Sequence, residues 1–193
     1  MKKSIRTMPK IAVLRLGHRF ERDARLTSHV ALAARALGAD EIVIADVIDE
    51  RLKKTVDEVS SNWGGHFEVK MGIPWREFVK DWQSKGGEVI HLTMYGQPLS
   101  DLINRIRRST RDKLIVIGAT KVPGEIYRMA DYNISVSSQP HSECSALAIF
   151  LHELFQGKEL EKKFSGAKIK VVPQAKGKRI LKLRQDPAIQ EYR

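Results

Sequence analysis

Hydrophobic and polar positions follow two patterns along the chain, short apolar runs and longer amphipathic stretches. The apolar runs predict strands over residues 10–16, 41–46, 88–93, 114–117 and 132–136, and residues 66–71, HFEVKM, predict a further short strand after a Gly-Gly turn. The amphipathic stretches predict helices over residues 26–37, 49–60, 75–84, 99–108 and 143–155, and a short helix precedes the last strand. Because strands and helices alternate, we predict an α/β fold with a mostly parallel sheet and helices on both faces.

The chain changes character after Gly157, where basic residues replace the apolar runs. Residues 168–185, KIKVVPQAKGKRILKLRQ, predict a hairpin of two short basic strands around a glycine turn. We therefore divide the chain into a main domain, residues 9–156, and a basic C-terminal extension, residues 157–193.

Charge changes this picture by indicating a polyanionic partner. The chain has 34 Lys and Arg against 23 Asp and Glu, a formal net charge of +11. The basic residues gather after the first strand, near the fourth long helix and in the tail: Arg15, Arg19, Arg22, Arg25; Arg105, Arg107, Arg108, Arg111, Lys113; Lys162, Lys163, Lys168, Lys170, Lys176, Lys178, Arg179, Lys182 and Arg184. This excess favours RNA or DNA as partner. The alternative is the ion-pair-rich surface of a thermophile protein, which does not explain the imbalance.

Several classes of protein lack support in the sequence. No apolar run approaches the ~20 residues of a membrane helix, and no apolar segment follows the basic start, so we expect a cytoplasmic protein without a membrane partner. The single cysteine, Cys144, opens an apolar helix face, and we assign it to packing rather than to nucleophilic catalysis. Neither a zinc-like spacing nor a dinucleotide, P-loop or hydrolase-elbow motif is present, so we expect no metal.

Two loops near the carboxyl half are suited to a small ligand. Gly118 follows one buried strand, and a loop rich in hydroxyl, amide and imidazole groups, residues 137–143, follows the next. Ligands of open α/β sheets bind outside the carboxyl ends of the strands. The sequence therefore predicts a small-molecule site between these two loops.

Three blocks carry a resemblance to a known family. They are LRLGHRFERDARLTSHVALAARALGADEI (residues 14–42), LTMYGQP (residues 92–98) and VIGATKVPGEIYRMADYNISVSSQPHSECSALAIFLHEL (residues 116–154), and the basic tail adds to them. The chain resembles the SPOUT class, or α/β-knot, of RNA methyltransferases, and within it the archaeal tRNA ribose 2′-O-methyltransferases that modify cytidine 56 of the T-loop. The resemblance implies a deep C-terminal trefoil knot, S-adenosyl-L-methionine (AdoMet) as cofactor, tRNA as substrate and a homodimer.

The resemblance also implies which residues bind the cofactor. They lie in three loops at the knot: Leu92; Gly118, Ala119, Thr120, Lys121, Val122; Val136, Ser137, Ser138, Gln139, Pro140, His141 and Ser142. In such a site the adenine is held by main-chain groups, with aliphatic side chains on its faces. For Lys121 a contact with the methionine carboxylate, a contact with phosphate and a position in water all remain open. For His141 a hydrogen bond that holds its loop is favoured over a role as proton acceptor.

The catalytic residue is harder to assign by resemblance. The common pattern places an arginine six residues before a glycine in the first block. That glycine is Gly38, and the position six residues before it is Leu32. We take Arg22 as the substitute, with Arg19 and Arg25 behind it. An arginine normally keeps its charge, so Arg22 would orient the 2′-hydroxyl or neutralise phosphate; the alternatives are a plain phosphate contact or a salt bridge. Methylation of another RNA, or RNA binding without turnover, also remain open.

Overall fold

Eight strands and six α-helices make up the part of the chain that the computed structural model describes, residues 8–119 and 121–183. The strands are β1 (Ile11–Leu16), β2 (Glu41–Ala45), β3 (Glu68–Ile73), β4 (Glu88–Pro98), β5 (Lys113–Gly118), β6 (Tyr132–Ser135), β7 (Ile169–Val172) and β8 (Arg179–Lys182). The helices are α1 (Ala24–Ala36), α2 (Glu50–Trp63), α3 (Trp75–Ser84), α4 (Leu99–Arg108), α5 (Gly124–Met129) and α6 (Glu143–Phe155). A short 3-10 helix, Lys158–Glu161, follows α6.

The first six strands form one sheet in the order β3-β2-β1-β5-β4-β6. All five neighbouring pairs are parallel, which confirms the predicted α/β fold and mostly parallel sheet. Because the strands are parallel, the carboxyl ends of β4, β5 and β6 lie at one edge, and the loops that follow them meet there.

Helices cover both faces of this sheet, as the pattern predicts. On one face the sheet packs against α1, α2, α4 and α6, with Val30, Val56, Ile106 and Phe150 among the buried contacts. On the other face it packs against α3 and α5, through side chains such as Trp82 and Ile126. Strands covered on both sides carry apolar residues in both directions, which explains their nearly continuous apolar runs.

Strand β4 leaves the sheet and returns to it. Leu92 pairs with Ile134 of β6, and so does Gln97, so residues 93–96 bulge out between two stretches of paired strand. Gly96 allows the return, because a Cβ there would lie 2.5 Å from backbone atoms of Asn133 and Ile134. We expected this strand to end at residue 93; glycine and proline at 96 and 98 indicated a turn, but β6 supplies hydrogen bonds beyond it.

Strands β7 and β8 form a separate antiparallel pair. The whole of β8 is exposed, and Val171, Ile180 and Leu181 are among the large apolar side chains in contact with water. The pair lies against α2, where the Lys168 backbone N–H donates to the Asn62 carbonyl over 2.9 Å. This region is therefore tied to the main sheet by few contacts.

Two members of the expected basic surface groups are in fact buried. Arg15 lies inside β1 with 0% of its surface exposed, and Lys113 begins β5 with 2% exposed. The Lys113 ammonium donates to the backbone carbonyls of Ser109 and Arg111. Sequence reasoning placed both on the surface because they neighbour other cations along the chain; their strands are internal, so these two charges do not face a polyanion.

Candidate functional site

A cavity lies at the carboxyl edge of β4, β5 and β6, where the loops that follow these strands meet. It has a volume of about 630 Å³, within the ~300–1,000 Å³ of ordinary small-molecule sites. Its walls come from the bulge of β4, the loop after β5, helix α5, the loop after β6 and the first turn of α6. The cavity therefore lies where the strand ends predicted it.

Eight of the thirteen cofactor residues implied by the resemblance line this one cavity: Leu92, Gly118, Lys121, Val122, Val136, Pro140, His141 and Ser142. They come from three separate loops, brought together by the pairing of β4 with both β5 and β6. The walls thus combine aliphatic side chains with polar groups, a composition typical of sites that hold a flat ring and orient it.

Four of the other five are described by the structure and are not among the lining residues. Ala119 donates its backbone N–H to the Leu16 carbonyl over 3.0 Å. Ser137 and Ser138 line a neighbouring cavity of about 520 Å³, which shares Met94 and Val136 with the first. Gln139 is exposed in the same loop, and Thr120 lies outside the described residues.

One wall of the cavity carries a hydrogen-bond network that the sequence did not reveal. His91 Nδ1 lies 2.9 Å from Asn133 Oδ1. The Asn133 side-chain amide donates to the Tyr127 carbonyl over 2.8 Å, so its Oδ1 is an acceptor and His91 Nδ1 carries the proton. The Tyr127 hydroxyl in turn lies 3.0 Å from Thr93 Oγ1. The signal for this wall was a histidine inside an otherwise apolar strand.

The proton on Nδ1 leaves His91 Nε2 as a bare acceptor. The ring is completely buried, and Nε2 has no hydrogen-bond partner among the described residues. Burial lowers the pKa of His91, and the hydrogen bond with Asn133 opposes that shift only in part. His91 is therefore a neutral imidazole behind the cavity wall, and its Nε2 is closed to water.

A buried ion pair lies at the start of α6. Arg15 donates from Nη1 to Glu143 Oε1 over 2.8 Å and from Nε to Thr27 Oγ1 over 2.8 Å. Glu143 lines the cavity, and 16% of its side chain is exposed. Sequence reasoning grouped Glu143 with the polar loop without giving it a role. A charge inside an apolar strand was the signal, since such a charge needs a partner.

The third loop is held mainly by its own hydrogen bonds. His141 Nδ1 lies 2.6 Å from the Gln139 carbonyl, which agrees with the loop-holding role favoured for it. Ser142 caps α6 by accepting from the Ser145 N–H over 3.1 Å. Burial, and then the neighbouring Glu143 charge, raise the pKa of the Cys144 thiol. The thiol therefore stays protonated, in keeping with packing against the core.

The structure does not bring the expected arginines to the cavity of a single chain. Arg22 is exposed in the turn before α1 and is not among the lining residues. Arg19 pairs with Asp23 at 2.8 Å. Arg25 lies in a second cavity of about 410 Å³ between α1 and α2, beside Phe20.

The main cavity has the chemistry that a nucleoside-bearing cofactor such as AdoMet needs. Leu92, Val122 and Val136 offer aliphatic surface for a purine. Glu143 and Lys121 supply one negative and one positive group for a ligand that carries charges of both signs. The described residues hold no cluster of three or more His, Cys, Asp or Glu with metal-site geometry, and none of the described helices is long and apolar enough to span a bilayer.

Comparison with known proteins identifies the family. A family model described as "tRNA ribose 2′-O-methyltransferase, aTrm56" matches residues 63–181. The tRNA (cytidine(56)-2′-O)-methyltransferase of Thermococcus kodakarensis is 53% identical over 90% of this chain and 97% of its own. The one of Hyperthermus butylicus is 49% identical over 89% of this chain and 92% of its own.

A solved structure agrees at the level of the fold. The SpoU methyltransferase AviRb from Streptomyces viridochromogenes, in complex with AdoMet, aligns with a TM-score of 0.54 over 78% of this chain and 58% of its own, at 14% identity. Together with the two relatives, this confirms the resemblance found in the sequence. The chain belongs to the aTrm56 family of tRNA ribose 2′-O-methyltransferases.

Proposed function

We propose that this protein transfers a methyl group from AdoMet to the ribose 2′-oxygen of cytidine 56 in tRNA. The observation that carries the proposal is the meeting of three loops at one cavity, in a chain about half identical to enzymes named for this reaction. AdoMet supplies an electrophilic methyl group on sulfur, which the 2′-oxygen attacks while the sulfur keeps the electron pair of the broken bond. The hydroxyl loses its proton to solvent as the new oxygen–carbon bond forms, and the cofactor leaves as the neutral thioether S-adenosyl-L-homocysteine.

The cofactor-binding residues in this proposal are those expected from the sequence. Leu92, Val122 and Val136 would hold the adenine faces, while Gly118 lets the backbone approach the ligand closely. The other residues expected from the same loops would contribute main-chain groups: Ala119, Thr120, Ser137, Ser138 and Gln139. His91 is added to this set as a positioning residue, because its hydrogen-bond network with Asn133 and Tyr127 holds one wall of the cavity.

We propose further that the enzyme is a homodimer and that Arg22 acts across the subunit interface. The exposed turn that carries Arg22 does not reach the cavity of its own chain, so a second subunit is the source consistent with a catalytic role. There it would orient the 2′-hydroxyl or neutralise the adjoining phosphate while keeping its charge.

The finer architecture belongs to the same proposal. The chain would thread the segment after β5 through an earlier loop to form a trefoil knot, as the resemblance to the SPOUT class implies. The position of β6 beyond β4 is compatible with this path, because the chain has to cross β4 after leaving β5. Residues 9–156 would form the catalytic domain, and the basic hairpin extension, residues 157–193, would hold tRNA through its phosphates in the cytoplasm. A crystal structure with continuous density from β4 to α6 decides whether the chain is threaded.

Methyl mapping on tRNA tests the proposed activity. Purified protein, AdoMet and an unmodified tRNA transcript should give one methyl group on the ribose of cytidine 56, located by nuclease digestion and mass spectrometry. A matched transcript with 2′-deoxycytidine at that position removes only the acceptor oxygen and should stay unmethylated. Methyl transfer to another nucleotide or to a base, or no transfer at all, contradicts the proposal.

Mixing two inactive variants tests the dimer. Arg22→Ala should lose most activity while binding AdoMet normally, and Gly118→Val should lose AdoMet binding. If Arg22 serves the partner's site, mixed dimers regain one intact site each, and activity returns in the mixture. A mixture as inactive as its components, or a monomer by light scattering, contradicts this arrangement.

A further inference from the structure

The buried position of the charged Arg15 side chain inside β1 has a large desolvation cost. It is completely buried between apolar neighbours, and its Nη2 has no hydrogen-bond partner among the described residues. Replacing a buried ion pair by apolar residues of similar volume often leaves a protein equally stable or more stable. Stability alone therefore gives little reason for this arginine.

The partner of Arg15 faces the cavity. Glu143 is the first residue of α6, and its Oε1 accepts a hydrogen bond from Arg15 Nη1 over 2.8 Å. It is also the one carboxylate among the described residues that line the cavity. Because the guanidinium is itself fixed by Thr27, the carboxylate has a defined position rather than a range of rotamers.

We propose that Glu143 makes the cavity prefer the cationic methyl donor over the neutral product, and that Arg15 is the positioning residue that holds this carboxylate in place. The inference rests on the proposed function, since it takes the cavity as the AdoMet site. Methyl transfer converts a positively charged sulfonium into an uncharged thioether. A fixed carboxylate beside the sulfur attracts the first and not the second.

The surroundings strengthen this discrimination. Aliphatic side chains such as Val122 and Val136 line the same cavity, and charges interact more strongly where water is displaced. Lys121, the one lysine among the described lining residues, offers a counter-charge for the donor's carboxylate, which donor and product share. The charge at sulfur is thus the feature by which Glu143 distinguishes the methyl donor from the thioether product.

Calorimetry with three ligands tests the inference without any turnover. The ligands are AdoMet, the thioether product S-adenosyl-L-homocysteine, and sinefungin, which carries an amine in place of the sulfonium. Glu143→Gln should weaken binding of AdoMet and sinefungin about tenfold, and it should change product binding little. Unchanged product binding also reports an intact fold. The control on the same helix, Glu153→Gln, removes an exposed carboxylate paired with Arg107 and should leave all three affinities unchanged.

A double variant tests the part played by Arg15. Glu143→Gln alone leaves a buried arginine without its partner, so Arg15→Met with Glu143→Gln removes both charges and keeps the protein foldable. If Arg15 acts only through Glu143, the double variant has the same ratio of AdoMet to product affinity as the single one. An unchanged ratio in Glu143→Gln overturns this inference alone, whereas wild-type protein that binds none of the three ligands overturns the proposed function with it.

Discussion

The cavity edge and the β7–β8 pair are built in opposite ways. At the cavity, β4, β5 and β6 lie in a parallel sheet covered on both faces, and their ends fix three loops. The β7–β8 pair has no second layer of strands, all of β8 is exposed, and every charged residue of the two strands is basic. The first region offers a shaped pocket with few charges; the second offers charge with little shape.

This difference separates two kinds of recognition. A pocket formed by fixed backbone discriminates among small molecules, because its polar groups are placed before the ligand binds. An exposed strand pair with many lysines holds a phosphate backbone, and its affinity depends on salt and little on sequence. Changes in one region should therefore leave the other function largely intact.

The largest effect is expected from the glycine that returns β4 to the sheet. In Gly96→Ala the new Cβ would lie 2.5 Å from the β6 backbone. We expect the free energy of unfolding to fall by about 3 kcal/mol and AdoMet binding to be lost. Chemical denaturation and calorimetry measure the two. Gly124→Ala is the matched control for stability alone, because a Cβ there meets no protein atom within 4 Å but Gly124 itself lines the cavity. Equal losses of stability in both variants contradict this account.

A smaller effect, limited to RNA binding, is expected from the hairpin. Replacing Lys176, Lys178 and Arg179 by alanine should weaken tRNA binding on the order of tenfold to a hundredfold and reduce its salt dependence by about one unit per lost phosphate contact. AdoMet affinity should not change. Filter binding across a salt series measures this. The control Lys80→Ala with Lys85→Ala alters α3, on the other face of the sheet, and should leave tRNA affinity nearly unchanged.

The smallest effect is a pH dependence from His91. Burial lowers its pKa in the folded chain, so at mildly acidic pH the unfolded chain binds a proton that the folded chain does not. Stability is then complete above the ordinary histidine pKa and falls as the pH drops below about 6.5, by up to about 1.4 kcal/mol per pH unit. His91→Gln should make this fall shallower in urea denaturation, whereas His29→Gln, at an exposed site, should not.

Much of the fold follows from local pattern in this sequence. The apolar runs correspond to β1, β2, β4, β5 and β6, because strands buried on both faces need side chains that are apolar in both directions. The site also follows in outline, since the ends of neighbouring parallel strands share one edge. The strand ends were less predictable, as β4 shows, because pairing with β6 overrides a local turn signal.

The polar interior of the site was not predictable in the same way. Arg15 and Glu143 are 128 residues apart, and His91 meets Asn133 across 42 residues. Each is a single polar residue in or beside an apolar stretch, which shows that a partner is needed but not which one. Such partners are set by the packing of whole elements. Arg22 was chosen by position in a motif, and its role depends on a second subunit that one sequence does not display.

The double attachment of β4 limits how a ligand can reach its place. The bulge over residues 93–96 is flanked on both sides by residues that pair with β6. It therefore cannot move outward unless this strand pairing is broken. The hydrogen bonds described for the loop over residues 136–142 are mostly between residues of the loop itself, so this loop is held to the sheet less firmly than the bulge. Release of S-adenosyl-L-homocysteine and binding of the next AdoMet should therefore require this loop to open. The rate of loop opening then sets an upper limit on the turnover rate.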